Sequence, residues 1–328
     1  MMADSLTRRT AELLVEAATA APSFHNSQPW RFVARLADRV IEIYADPART
    51  LRRGDPRGRA VHIACGSALF NLRLAIAQSG SEPVARLLPC PRDPLLLASV
   101  RFAGPYRLRP AERDLYAAIR RPAGPRPSSG RPLPRGLMSA LREAAALEGA
   151  SLRLPDRPET LRILRRSAAA DPDLRTDPGY LAELGAWTGG SRPGGPGPGS
   201  ARPGGRRTTG EVLTMQDFSP GVSGASSPLA VISTIADDRA SWLRAGQAVQ
   251  RVLLLAAHRG LQATALSPAL EAPGSPARGE PALDGEHAVV ILRLGFGRPE
   301  PAVARRPVTQ VLRVDPGPPH LTGFPVTA

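Results

Sequence analysis

The feature that most restricts the fold of this chain is a pair of long apolar helix patterns that lie 180 positions apart. Residues 60–78 and 241–258 are apolar almost all round, which predicts helices that are buried on nearly every side. Aligned at this offset, Gly66, Ala68, Leu69, Leu72, Leu74, Ala77 and Gly80 match Gly246, Ala248, Val249, Val252, Leu254, Ala257 and Gly260. If this is a true repeat, the two helices pack together, with Gly66 and Gly246 allowing close approach of the backbones. The alternative is that any two buried Ala/Leu helices look alike.

The length and the remaining patterns favour an α+β fold made of two halves. At 328 residues the chain exceeds one average domain, so two domains or one duplicated domain are expected. Helices are predicted at residues 5–20, 111–121, 135–148 and 158–169, and strands at 30–36, 40–45, 83–88, 95–102, 151–154, 229–235, 287–294 and 308–314. We therefore divide the chain into a first half, 1–105, and a second half, 106–328. Residues 171–227 are rich in Gly and Pro, which is typical of a lid or an irregular insert.

The charge of the chain raises the question of a nucleic-acid partner. The net charge is +14, and all 43 cations are arginines, because the sequence contains no lysine. A GC-rich genome explains this composition equally well, and the arginines are scattered without the aromatic residues that would stack on RNA bases. We therefore expect no nucleic-acid partner.

The N-terminus shows no signal-peptide pattern, and no apolar run approaches the roughly 20 residues needed to cross a bilayer. The two cysteines, Cys65 and Cys90, suit neither a disulfide framework nor a metal site, and the five histidines are isolated. We expect a cytoplasmic protein with no membrane association and no bound metal.

One short segment, residues 21–32, stands out as a candidate site. Its sequence is APSFHNSQPWRF, in which two prolines bracket polar side chains and favour an extended loop between a helix and a strand. The loop's backbone amides and the side chains of Ser23, Asn26 and Gln28 offer donors and acceptors to a planar heterocycle. On its residues alone, this is a structured loop with a purely structural role.

This segment resembles the PSxxNxQPW loop of FMN-dependent nitroreductases. The histidine in the loop resembles the Acg-type FMN-binding oxidoreductases of the nitroreductase superfamily. Further similar segments are Asp46 and Arg49, the DPRGR run at 55–59, CGSAL at 65–69, LAELGAW at 181–187, WLRAGQA at 242–248 and RPV at 306–308. The resemblance spans nearly the whole chain. It implies two nitroreductase-like halves fused as an intramolecular pseudo-dimer, with a flavin held between them.

The resemblance also implies which residues hold FMN. The first half contributes Pro22, Ser23, Phe24, Asn26 and Gln28, with Pro22, Ser23 and Phe24 next to the isoalloxazine. The family's RxSxR-type phosphate loop aligns with RRPAGPRP at 120–127, where the small polar positions are lost and Arg121 and Arg126 remain. Arg305 resembles the family's C-terminal phosphate arginine. A solvated surface charge is the alternative for each arginine.

The expected function is transfer of hydride or electrons from NADH or NADPH, through FMN, to a small nitro, quinone or related acceptor. The flavin carries the redox chemistry, so no catalytic side chain is assigned. His25 either hydrogen-bonds flavin or substrate, or structures the loop. The first alternative function is a flavin-binding or flavin-sequestering protein without turnover, and the second is a basic interaction protein that has lost flavin. We expect a monomer, with a dimer as the alternative.

Overall fold

A computed structural model describes residues 6–120, 133–156, 158–160, 177–188, 228–266, 285–296 and 304–315. The helices in these ranges are α1 Arg8–Thr19, α2 Arg59–Gln78, α3 Pro110–Ile119, α4 Arg135–Ala146, α5 Pro178–Thr188, α6 Arg239–His258 and the single turn α7 Val308–Val311. The strands are β1 Trp30–Arg35, β2 Val40–Ala45, β3 Ser81–Leu87, β4 Leu96–Pro105, β5 Ser151–Arg153, β6 Leu229–Thr234, β7 Gln262–Leu266, β8 His287–Gly295 and β9 Leu312–Asp315.

The strands form two sheets that share one topology. The first sheet has the order β3-β4-β2-β1-β9, and the second, read from β7, has the order β7-β8-β6-β5. All pairs are antiparallel except β1 with β9, which are parallel. Each sheet therefore repeats the same four-strand order, and the C-terminal strand β9 completes the first sheet. A division of the chain at residue 105 does not separate the sheets cleanly, because β9 comes from the second half.

The two long helices α2 and α6 pack against each other at the centre of the molecule. A Cβ atom added to Gly66 would overlap the backbone carbonyl of Leu243, and one added to Gly246 would overlap that of Ile63. The Ser67 hydroxyl donates to the carbonyl of Gly246 at 2.9 Å. The predicted packing of these helices, with backbones in close contact at the two glycines, is confirmed.

The two hydrophobic cores interlock through this helix pair. One core lies between the first sheet, α1 and α2, and it includes Leu243 of α6. The other lies between the second sheet, α4 and α6, and it includes Ile63 of α2. Ile63 and Leu243 occupy equivalent positions of the repeat, and each is buried in the core of the opposite sheet. Burial of each side chain contributes about 1.5–3 kcal/mol.

The expectation that no apolar run approaches membrane-spanning length needs correction: within the described residues, α2 is the one helix that is long and apolar enough to span a membrane, and 89% of its most apolar window is buried inside the protein. This burial reflects its position between the first sheet and α6. The helix and strand predictions are otherwise largely confirmed, with boundaries that shift by a few residues. The helix predicted at 158–169 lies outside the described residues beyond its first turn, 158–160.

Two predictions of local structure need correction. Residues 308–314 were expected to be one strand, but the chain first makes the turn α7, in which the Gln310 N–H donates to the carbonyl of Pro307, and pairs with β1 only from Leu312. The irregular insert expected at 171–227 contains the helix α5, and the rest of that insert lies outside the described residues. Strand β7 was not predicted, because its sequence QATAL is short and alternates polar residues only with alanine, which gives a weak apolar signal.

Candidate functional site

The loop that joins α1 to β1 has an unusual backbone. His25, Asn26 and Gln28 all have positive φ, at 50°, 53° and 48°. This conformation costs roughly 1–2 kcal/mol for each non-glycine residue, so the loop needs support from its surroundings. Within the loop, the Ser23 hydroxyl oxygen accepts from the Gln28 N–H at 2.9 Å. Strained backbone that is held in place by neighbouring groups is common at ligand sites.

The support comes from the C-terminal segment, 304–306, which lies directly against the loop. The side-chain amide of Asn26 donates to the carbonyl of Ala304 at 3.0 Å. The backbone N–H of Arg306 donates to the Gln28 side-chain oxygen at 2.8 Å, and Gln28 is fully buried. Residues almost 280 positions apart therefore fix the loop conformation together.

Arg305 is a charged residue that bonds to a side chain of the strained loop. Its guanidinium donates to the side-chain oxygen of Asn26 at 2.5 Å and to the carbonyl of Ala20 at 3.2 Å. It forms no ion pair with a carboxylate among the described residues. Burial alone lowers the pKa of Arg305 to about 10, so the group stays protonated at neutral pH. A partly buried guanidinium held by neutral acceptors suits an anionic ligand such as a phosphate.

A second group of charges braces the loop from the side of β2. Asp46 is buried and bonds to Arg31 at 2.7 Å, and its other oxygen lies 3.6 Å from the guanidinium of Arg306. The Arg49 side chain donates to the carbonyl of Ser27 at 2.5 Å. Burial is the main cause that lowers the pKa of Arg306, and Asp46 opposes that effect. Arg306 and Asp46 are therefore structural supports of the loop.

Helix α5 lies beside the same loop and packs on residues 24–26. Its Glu183 carboxylate accepts from the backbone N–H groups of Arg53 and Gly54 at 3.1 and 3.0 Å. Asp177 forms an ion pair with Arg53 at 2.9 Å, and the ring of Tyr180 packs on Gly54. The first turns of the predicted lid are therefore attached to the loop that leads into α2.

The structure brings together part of the predicted set. Ser23, Asn26, Gln28 and Arg305 form one hydrogen-bonded group, and Pro22 and Phe24 lie half-buried on the same loop. Arg121 and Arg126 lie outside the described residues. Contact of any of these residues with FMN stays a prediction.

His25 and the supporting residues add to the sequence-based picture. The His25 ring makes no hydrogen bond to described residues, and burial lowers its pKa. Its contribution to the loop lies in its backbone conformation. The supporting roles of Arg306 and Ala20 were not predicted from the sequence. The Arg305-Arg306 doublet was the available signal for Arg306.

Comparison with known proteins places this chain in a family. No protein-family model matches the sequence. A Mycobacterium tuberculosis H37Rv protein, Rv3131, is 33% identical over 321 residues, covering 92% of this chain and 91% of the relative. The Acg protein of the same strain is 32% identical over 329 residues, covering 92% and 94%. Both are named as NAD(P)H nitroreductases, an assignment that their names give as provisional.

Solved structures with a similar fold were also found. A nitroreductase with bound FMN from Desulfitobacterium hafniense has a TM-score of 0.40 at 12% identity, covering 62% of this chain and 98% of that chain. A nitroreductase from Anabaena variabilis has a TM-score of 0.42 at 12% identity, covering 89% and 74%.

The fold is that of an α+β protein with a strained loop and a C-terminal arginine at its candidate ligand site. The identity with the mycobacterial relatives over nine-tenths of each chain decides the family. This chain belongs to the nitroreductase family of oxidoreductases. The Acg-type resemblance of the chain is thereby confirmed.

Proposed function

We propose that this protein binds FMN and transfers hydride or electrons from NADH or NADPH to a small nitro, quinone or related acceptor. Membership of the nitroreductase family supports the reaction class. The observation that carries the cofactor assignment is Arg305, a partly buried cation with no carboxylate partner among the described residues, next to a strained loop. The phosphate of FMN supplies the negative charge that this group lacks.

The chain's own residues would bind and orient the cofactor. Arg305 holds the phosphate, and Arg121 and Arg126 are proposed as its further partners. The backbone of Pro22, Ser23 and Phe24 would line the isoalloxazine, while the buried Gln28 keeps the loop in shape. When bound, FMN supplies the redox chemistry by accepting hydride from the nicotinamide and passing electrons to the acceptor. The protein contributes position and a charged environment.

We further propose that the chain is a fused pseudo-dimer with one cofactor site. Two observations support the duplication. The two sheets have a common strand order, and the equivalent residues Ile63 and Leu243 are each buried in the core of the opposite sheet. The connection from α1 to β1 spans residues 20–29, whereas the equivalent connection from α4 to β5 spans only 147–150. Among the described residues of the second half, the connection at this position is therefore too short to form a counterpart of the loop at 20–29. Flavin analysis of the purified protein should give about one FMN per chain, and two would refute this part of the proposal.

A second candidate function is sequestration of flavin without turnover. The observation that favours it is α5, which is attached to residues 53–54 by Glu183 and packs beside the loop. A helix held there restricts access of a nicotinamide to the same site. Glu183→Gln should then accelerate FMN release and reduction by NADPH several-fold, whereas the exposed control Glu82→Gln should leave both rates unchanged.

The first experiment is the visible absorption spectrum of the purified protein, with NADH or NADPH added without oxygen. A yellow protein that bleaches with nicotinamide supports the oxidoreductase and justifies an acceptor screen. A yellow protein that stays yellow with both nicotinamides favours sequestration. A colourless protein that ignores added FMN overturns the cofactor assignment.

A further inference from the structure

Asn26 has a position in the site that its sequence motif does not explain. Both ends of its side-chain amide are engaged within the protein, because the nitrogen donates to Ala304 and the oxygen accepts from Arg305. Asn26 is also buried, with 7% of its surface exposed. To contact a ligand through its amide, Asn26 would have to give up these contacts. Its side chain is arranged to hold Arg305.

The guanidinium of Arg305 is held along one edge only. One terminal nitrogen donates to Asn26 and the other to the carbonyl of Ala20, at the C-terminal end of α1. The partial negative charge of a helix C-terminus favours a cation there. No other hydrogen bond of this group to described residues is present, so no described residue engages its remaining N–H groups. Planar N–H groups of this kind match a phosphate in bidentate geometry.

Arg73 shows the arrangement that a purely structural arginine takes in this protein. Its guanidinium bonds to the carboxylate of Glu148 at 2.6 Å and to the amide oxygen of Gln247 at 2.7 Å. Arg73 therefore forms an ion pair with Glu148, a carboxylate that it shares with Arg251. Arg305 has an amide where Arg73 has a carboxylate. An amide orients the guanidinium but leaves its positive charge available.

We propose that Asn26 is a positioning residue that aims the Arg305 guanidinium at an anionic group of the ligand while leaving its charge uncompensated, and that it thereby selects phosphorylated over unphosphorylated flavin. The inference rests on the proposed function, since it assumes that a flavin occupies the site. It assigns selectivity to a neutral side chain that does not itself touch the phosphate. A carboxylate at position 26 would form an internal ion pair with Arg305 and remove the attraction for an anion.

The test compares FMN with riboflavin, which differ in the phosphate. Affinities for both are measured by fluorescence titration of the full chain after its flavin has been removed by dialysis. Asn26→Asp should reduce the FMN-to-riboflavin affinity ratio about tenfold or more, since a charge-assisted hydrogen bond is lost as a net interaction. Asn26→Leu, which cannot orient Arg305, should also reduce the ratio. Asn26→Ser keeps a neutral acceptor and should hold the ratio within about threefold.

The matched control is Asn71→Asp, because Asn71 is a buried asparagine whose amide also bonds on both sides, to Ala17 and Gln250, and neither of these partners is Arg305. It should leave the ratio unchanged. Asp and Leu fail in different ways, so either variant that folds decides the question. An unchanged ratio in Asn26→Asp or Asn26→Leu, or an equal loss in Asn26→Ser, overturns the role of Asn26. A wild-type chain that binds neither flavin instead overturns the proposed function itself.

Discussion

The two sheets of this protein share one strand order but differ in the loop that leads into each of them. In the second half, α4 turns into β5 within four residues, and the positive φ of that turn, 77°, falls on Gly149. In the first half, the equivalent connection is longer and places positive φ on His25, Asn26 and Gln28. Glycine adopts this conformation at little cost, whereas the other three residues are strained. The first loop therefore keeps a conformation that its own residues disfavour, as the proposed cofactor site requires, whereas the second makes only a short connection.

The largest expected effect comes from the contact between α2 and α6 at Gly66 and Gly246. Gly66→Ala and Gly246→Ala should each destabilise the protein by about 3 kcal/mol, because the new methyl group meets a backbone carbonyl that cannot move aside. The measurement is urea unfolding. Gly136→Ala in α4, where a methyl group meets nothing within 4 Å, should be neutral or slightly stabilising. Clearly unequal losses of unfolding free energy at Gly66 and Gly246 would show that the two helices are not equivalent at this contact.

The next effect concerns the loop at residues 20–29, which joins α1 to β1. Arg305→Met should weaken FMN binding by roughly 10- to 150-fold, because a charge-assisted hydrogen bond contributes about 1.5–3 kcal/mol. Riboflavin should lose much less. Titration of both flavins provides the measurement, and Arg313→Met, an exposed arginine on β9, is the control. Equal losses for FMN and riboflavin would mean that Arg305 only supports the end of α1.

Backbone strain predicts two smaller changes in stability of opposite sign, one in each half. Gly149→Ala should cost about 1 kcal/mol, because alanine at φ 77° is strained. His25→Gly should stabilise the protein by about 0.5–1 kcal/mol, since it relieves the same strain in the other half. Thermal unfolding of both variants without flavin measures the difference. A destabilised His25→Gly would show that the imidazole ring itself contributes packing.

The sequence predicted the parts of the fold that depend on local pattern. The two central helices and most strands follow from apolar periodicity, and the Gly66–Gly246 contact follows from small residues at matching positions. The addition of β9 to β1 was not predicted, because pairing across almost 280 residues leaves no local signal. For the same reason, the candidate site was only half predicted: the motif identified Asn26 and Arg305 separately, but not their direct bond.

The smallest effect tests a pair of unlike residues at equivalent positions. His62 of α2 and Trp242 of α6 meet edge to face, with ring centroids 5.5 Å apart, where the N-terminal ends of the two helices approach. One nitrogen of His62 bonds to the carbonyl of Gly58 at 2.5 Å, and the other accepts from Arg239 at 2.9 Å. Burial and, to a smaller extent, the charge of Arg239 lower the pKa of His62 below 6.5, although the Gly58 bond and Asp55 oppose them. The folded protein therefore keeps His62 neutral.

Because its pKa is lower in the folded state, the unfolded chain takes up this proton first as the pH falls. The stability that neutral His62 contributes is complete above the unfolded value of 6.5 and is lost as the pH falls from there toward the lower folded value. Melting temperatures should thus fall by a few degrees between about pH 7 and pH 5. His62→Gln, which retains an acceptor for Arg239 without titrating, should show a shallower decline over that range. Equal slopes for the variant and the wild type would show that another group such as Asp237, whose pKa is lowered in the folded protein, controls the acid sensitivity of the junction between the two halves instead of His62.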